Sequence, residues 1–116
     1  MKRYKELIVW QKAMDLIVDV YHATVNFPSE EKFGMTSQIR RAVVSIPSNI
    51  AEGYGRQSTG SYTQFLSIAR GSLLELDTQI ELCLRLNYIQ LIDSEIVQTN
   101  IMEISKMLSS LISKLK

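Results

Sequence analysis

The chain has 116 residues, enough for one domain with a buried core, and 46% of them are hydrophobic. Its net charge of +1 excludes a strongly basic nucleic-acid-binding domain, so any such binding must come from a local patch. No apolar run approaches the roughly 20 residues of a membrane span, and the single cysteine, Cys83, cannot form a disulfide within the chain. We therefore expect one cytoplasmic domain over residues 1–116, with no membrane partner.

The first predicted helix covers residues 5–25 and carries two apolar stripes at helical spacing. One stripe consists of Leu7, Trp10, Met14, Ile17, Tyr21 and Thr24, and the other of Val9, Ala13, Leu16 and Val20. Packing in one bundle would explain only one stripe. We therefore expect the second stripe to be a subunit interface.

The second predicted helix covers residues 37–53, with Thr36 or Ser37 as its cap, and contains Pro47. A proline inside a helix removes one backbone hydrogen bond and costs roughly 3 kcal/mol. The apolar phase is nevertheless the same on both sides, through Val43 and Ile50. This pattern predicts one kinked helix and not two separate helices.

A third helix is predicted over residues 61–86, and a fourth follows a cap at Asp93 or Ser94. Gly71, inside the third helix, is expected to let the bent second helix approach closely. Four amphipathic helices with short connections favour an antiparallel up-down-up-down bundle. The predicted fold is therefore all-α, a four-helix bundle with a proline kink in the second helix.

The sequence lacks the residue sets of familiar catalytic and metal sites. His22 is the only histidine, too few for a di-metal bundle site, and no phosphate-binding glycine motif occurs. We expect no metal, no cofactor and no catalytic residue, so the chain is not predicted to be an enzyme. The alternative is an enzyme using Glu52, Glu75 and Arg41, without a visible nucleophile–base pair.

Segment 45–53 has an unusual composition for a helix and allows two interpretations. In the structural one, Ser45, Ser48 and Asn49 bond backbone groups near Pro47. In the functional one, a polar pocket is built on the bent helix. We favour a structural role for the residues of this signature set, which are Ser45, Pro47, Asn49, Glu52, Gly53 and, on the third helix, Glu75.

Five residues are candidates for contact with a nucleic acid or another partner: Arg40, Arg41, Arg56, Arg70 and Tyr54. A guanidinium can bind phosphate, and an exposed aromatic ring can stack on a base. The alternatives are structural. Arg40 or Arg41 would pair with Glu75 or Glu52, and Glu52 would pair with Arg56 or with a neighbouring helix. Arg56 and Arg70 would otherwise be solvated charges.

Several segments together resemble a known family, the bacterial four-helix-bundle proteins named after open reading frames in intervening sequences of 23S ribosomal RNA genes. They are Leu7-x-x-Trp10-Gln11-Lys12-Ala13, Phe27-Pro28-x-x-Glu31-x-Phe33-Gly34-Met35, Ser37-Gln38-Ile39-Arg40-Arg41-Ala42, Ser45-Ile46-Pro47-Ser48-Asn49-Ile50-Ala51-Glu52-Gly53 and Phe65-Leu66-x-Ile68-Ala69-x-Gly71-Ser72-Leu73-x-Glu75-Leu76. The resemblance covers residues 7–88 and weakens in the last helix.

The resemblance implies a bundle that assembles into a ring, with a homopentamer as the expected form. It also implies kinship with accessory proteins of diversity-generating retroelements, which bind nucleic acid and a reverse transcriptase. It supplies no catalytic residues. The leading hypothesis is a non-catalytic oligomer that binds structured RNA or an RNA-associated protein. The alternative is a protein-interaction scaffold without nucleic-acid contact.

Overall fold

A computed structural model of the chain describes residues 3–116, a range that contains helices and turns but no strand. Its four long helices are α1 (Ile8–Thr24), α2 (Met35–Tyr54), α3 (Thr59–Arg85) and α4 (Leu91–Leu115), and short 3-10 turns at Tyr4–Glu6 and Ser29–Glu31 precede α1 and α2. α1 and α3 each pack against both α2 and α4. The prediction of an all-α four-helix bundle is confirmed, while residues 1 and 2 of the predicted domain lie outside the described range.

Each helix contributes one apolar face to a shared core, because side chains three and four positions apart lie on the same side of a helix. The stripe of α1 that was predicted to contact another subunit is part of this core. Within the single chain the exposed fractions of its side chains are 5% for Val9, 0% for Ala13, 1% for Leu16 and 0% for Val20. Side chains already buried in the core of the single chain have no surface to offer, so the predicted interface is wrong for these four residues.

α2 is continuous through Pro47, as the unbroken apolar phase predicts. Contacts between helices follow a consistent order: Ser45 is hydrogen-bonded to Ser72, while Gly53, farther along α2, lies against Phe65, which comes earlier in α3. Antiparallel neighbours would give contacts of this kind. The up-down-up-down order and the kink itself stay predictions.

The close approach between α2 and α3 occurs at Gly53 and not at Gly71. A Cβ built on Gly53 would lie 2.7 Å from the Cβ of Phe65, whereas a Cβ on Gly71 would meet nothing within 4 Å. Gly71 faces open space, so its predicted role in helix packing is wrong.

All four helix starts differ from the predicted ones by two to four residues, and the predicted caps of α2 and α4 are wrong. α2 begins at Met35, whose N–H donates to Glu31 Oε1 at 3.1 Å, so Thr36 and Ser37 lie inside the helix and do not cap it. α4 begins at Leu91 after Gln90, without a side-chain cap, and Ser94 also lies inside its helix. The predicted caps were wrong because Glu31, four residues before Met35, supplies the acceptor at α2 and no side chain supplies one at α4.

Candidate functional site

A groove of about 520 Å³ lies between the C-terminal part of α1, the connection that follows it and the first half of α2. It is lined by Tyr21, Lys32, Phe33, Thr36, Ser37, Arg40, Arg41 and Val44. Three of these residues are cations and none is acidic, although the whole chain carries a net charge of only +1. The groove is therefore a local basic patch of the kind that the composition leaves possible.

Phe33 stands out in the groove because 89% of its side chain is exposed. It lies in the connection between the Ser29–Glu31 turn and α2, where no helix packs over it. The Lys32 Nζ is 5.5 Å from the centroid of its ring. An apolar ring left in water beside a cation has a large area available for stacking.

Arg40 is held in place by α1. Its Nε donates to the Thr24 hydroxyl at 3.0 Å, and its Nη2 donates to the Tyr21 carbonyl oxygen at 3.5 Å. Its Cζ also lies 4.3 Å from the centroid of the Tyr21 ring. Thr24 is buried, and its own hydroxyl donates to the Val20 carbonyl oxygen at 2.9 Å. The guanidinium is therefore oriented at the groove by contacts within the chain.

The predicted pairing of Arg40 or Arg41 with Glu75 or Glu52 is wrong. Neither arginine belongs to an ion pair of residues 3–116. Glu52 pairs instead with Arg56, at 3.2 Å, as one of the alternatives predicted, and Glu75 is exposed on α3. Arg41 is likewise exposed, so its charge is available to a ligand.

The acidic residue nearest the groove in sequence, Glu31, is engaged elsewhere. Its Oε1 accepts the Met35 N–H, and its Oε2 accepts the Tyr88 hydroxyl at 2.9 Å. The bond from the Met35 backbone, followed by that from Tyr88, lowers the pKa of Glu31 against a smaller opposing effect of burial. The hydrogen bond to Glu31 is also the main cause of the raised pKa of Tyr88. The carboxylate therefore serves the ends of the helices and does not line the groove.

The other candidates lie away from this groove, and Tyr54 and Arg56 share the end of α2 that packs against α3. Tyr54 packs edge-on against Tyr62, with 6.0 Å between ring centroids, and Arg56 covers the ring of Phe65 at 4.7 Å. Arg70 joins α3 to α4, since its Nη1 donates to the Ser109 hydroxyl at 3.1 Å. The structure therefore places Arg40 and Arg41 in the groove, Tyr54 and Arg56 at the other end of α2, and Arg70 between α3 and α4.

The side chains around Pro47 bond to the backbone of their own helix. Ser45, Ser48 and Asn49 each donate to a carbonyl oxygen three or four residues earlier, at 2.7–2.8 Å. None of the three acceptors is the carbonyl of Val43, which loses its usual helical partner at Pro47. These bonds support the structural interpretation of segment 45–53, although they do not replace the missing bond itself.

Three residues of the groove, Tyr21, Lys32 and Phe33, were not identified as site candidates from the sequence. Tyr21 belongs to an apolar stripe and looks like a core residue. The signal for the other two is local. Phe33 follows a lysine and precedes Gly34, in a connection where the sequence predicts no apolar helix face for the ring to join.

Two further properties of the described helices bear on function. No helix within residues 3–116 combines the length and hydropathy that a membrane span requires. In the same range, no three His, Cys, Asp or Glu side chains gather closely enough to hold a metal ion.

Comparison with known proteins identifies the family. The family described as 23S rRNA-intervening sequence protein matches residues 5–110. A crystal structure from Bacteroides thetaiotaomicron, of a protein with unknown function from the S23 ribosomal protein family, is 31% identical, with a TM-score of 0.81 over 90% of this chain and 98% of that one. No curated protein matches the chain. The family match spans most of the sequence and the solved relative shares the same bundle, so the chain belongs to the 23S rRNA-intervening sequence protein family.

Proposed function

We propose that this protein is a non-catalytic, self-associating module that binds structured RNA in the cytoplasm through the groove between α1 and α2. The observation that carries the proposal is the composition of the groove, in which three cations and an exposed aromatic ring line one surface without any acidic residue. Cations bind the phosphates of RNA whatever its sequence, and aromatic rings add stacking on bases.

The names that the comparisons give mention ribosomal RNA and the ribosome but do not identify a partner. The name of the matching family refers to 23S rRNA, and the solved relative is described as a member of a ribosomal protein family. The groove adds a physical reason, since a chain with a net charge of +1 concentrates three of its cations there.

Self-association is supported by large apolar side chains that the single chain leaves exposed. Around the turn between α3 and α4, five aliphatic side chains are between 43% and 65% exposed: Leu82, Leu86, Leu91, Ile92 and Ile96. Exposed apolar residues that gather in one region are typical of protein–protein contact surfaces. We propose these five residues as the contact surface, because the α1 stripe predicted for that role is buried in the core. A homopentamer is the form expected from the family resemblance.

RNA binding is tested by filter binding of a ribosomal RNA fragment across a salt series. We expect affinity to fall steeply with salt, because each bound phosphate releases counterions. Arg41→Gln should reduce the slope of log affinity against log salt by about 0.7–0.9 for each site lost. Arg56→Gln is the matched control, since it removes the same charge at the far end of α2, roughly 20 Å away along the helix. Absence of binding at low salt would contradict the proposal.

Assembly is tested by size-exclusion chromatography with light scattering. We expect a closed oligomer of about five copies, as the family resemblance implies, and a ring requires the same surface pair to repeat. Ile92→Glu combined with Ile96→Glu should weaken the oligomer, because it places charges on exposed apolar positions of α4. A strict monomer at micromolar concentration would refute self-association. An oligomer without RNA binding would instead favour the protein-interaction scaffold.

A further inference from the structure

We infer that the groove between α1 and α2 holds an unpaired nucleotide of the RNA, with its base stacked on the ring of Phe33 and its phosphate against Arg40 and Arg41. This inference rests on the proposed function and makes it more specific, since it names the element of the RNA that is bound. The volume of about 520 Å³ falls within the roughly 300–1,000 Å³ typical of sites for small molecules.

The exposed ring determines which bases can bind. In a double helix both faces of a base are covered by its neighbours, so a side chain can stack only on a base that has left the helix. Phe33 is 89% exposed and is not covered by any of the four helices. A loop, bulge or single-stranded end of a structured RNA provides such a base, whereas a continuous duplex does not.

The two arginines supply a phosphate site beside the ring. Arg40 is already oriented by Thr24 and Tyr21, so little side-chain entropy is lost when an anion binds. Arg41 is exposed and lines the same groove. A nucleotide carries a flat apolar base and a phosphate within a single unit, and the groove offers a partner for each.

A nucleic acid fits this groove better than a second copy of the chain. The lining has three positive charges and no negative one, whereas the chain as a whole is nearly neutral. A second copy would have to place acidic side chains opposite all three cations, because a buried cation without a partner is costly. A polyanion neutralises them as it binds.

The experiment measures fluorescence anisotropy with a labelled single-stranded RNA of about 12 nucleotides and with the same strand annealed to its complement. Both are titrated with the full chain at low salt. We expect the single strand to bind about tenfold more tightly than the duplex. Phe33→Leu, which keeps an apolar side chain but removes the ring, should lose about tenfold in affinity for the single strand and leave duplex binding unchanged. Phe33→Trp should retain the preference.

The outcomes separate this inference from the proposed function. Equal binding of single strand and duplex, or equal binding by wild type and Phe33→Leu, overturns the unpaired nucleotide and leaves RNA binding standing. Absence of binding to either RNA removes the proposed function as well. If Phe33→Leu abolishes self-association instead, a second copy and not a base covers the ring, which also overturns the inference. The circular dichroism of each variant should match wild type, since Phe33 contributes almost nothing to the core.

Discussion

Gly53 on α2 lies so close to Phe65 on α3 that a methyl group added at Gly53 would come within 2.7 Å of the Phe65 Cβ. The Tyr62 carbonyl oxygen, one turn earlier on α3, lies 3.2 Å from the same point. Backbone and Cβ atoms cannot rotate away as the end of a long side chain can. Glycine is therefore required here by helix packing and not by an unusual backbone angle.

Gly53→Ala should destabilise the protein. Overpacking costs about 1–3 kcal/mol, which exceeds the gain of about 1 kcal/mol that alanine brings to a helix. Gly71→Ala is the matched control, because Gly71 is also helical but faces open space. That variant should gain about 1 kcal/mol in free energy of unfolding. Urea denaturation measures both, and a Gly53→Ala protein as stable as wild type would contradict the packing described here.

Gln79→Met should stabilise the protein. Gln79 is 8% exposed, and its Oε1 is buried without a hydrogen-bond partner among residues 3–116. An unsatisfied buried acceptor costs about 1–3 kcal/mol, and methionine has a similar shape without that group. We expect a gain of about 1 kcal/mol in denaturant unfolding. The control is Gln98→Met, which removes a hydrogen bond from Gln98 Nε2 to Glu81 and should not stabilise. A loss of stability in Gln79→Met would mean that the oxygen has a partner in solution.

Glu31→Gln should weaken the protein at neutral pH but not in acid. The pKa of Glu31 is lowered on folding from its ordinary value of 4.5 by the bonds from Met35 and Tyr88. A carboxyl group with a lowered pKa stabilises the folded chain above its unfolded pKa, and this contribution is lost as the pH falls through the folded pKa. The difference in stability between wild type and variant should therefore be full at pH 7 and shrink below about pH 4.5.

Thermal unfolding followed by circular dichroism across this pH range provides the measurement for Glu31→Gln. Glu30→Gln serves as its control, since Glu30 is the neighbouring carboxylate and its side chain is exposed. A difference between wild type and Glu31→Gln that does not change with pH would show that the carboxylate acts through shape and not through charge.

Cys83 should be unreactive in the folded protein. Its side chain is fully buried in the core, and burial, with a smaller effect of the Glu31 charge, raises its pKa to about 11. The thiolate is the reactive form, and at pH 8 only about one thiol in a thousand would be ionised. We expect no labelling by a disulfide reagent within minutes and complete labelling in guanidinium chloride. Rapid stoichiometric labelling of the native protein would indicate that the core opens at α3.

The sequence allowed the four helices to be predicted because their apolar residues recur at helical spacing over two turns or more. The residues at which the helices begin were harder to predict. Both predicted caps assumed a polar residue just before the apolar stripe, yet Glu31 holds the start of α2 in a geometry completed by Tyr88 from a distant turn. Such an arrangement depends on tertiary structure and leaves no local pattern.

The two stripes of α1 illustrate a second limit of sequence analysis. Periodicity shows that both faces are apolar but not which of them points inward. In the structure Val9 and Ala13 are buried, while Met14 and Tyr21 from the other stripe are each 39% exposed. Small and branched residues allow close helix packing, and this consideration would have favoured the correct face.

The sequence allowed only some residues of the candidate site to be predicted. Arg40 and Arg41 were identified from residue type alone, but their partner Phe33 was not. Arg56 and Arg70 were grouped with them because a sequence does not show which arginines are free to bind a ligand. In the structure Arg56 bonds to Glu52 and Arg70 bonds to Ser109. Only the positions of the helices separate the two groups.

The bond between Glu31 and Tyr88 has a consequence for how the molecule opens. It links residues 57 positions apart, so the connection before α2 and the turn before α4 meet at one end of the bundle. Amide hydrogen exchange should therefore detect both segments as a single cooperative unit, slowed together and released together. Residues 55–57, which join α2 to α3 and are exposed, have no hydrogen bond to so distant a segment within residues 3–116, and inserted sequence should be tolerated there best.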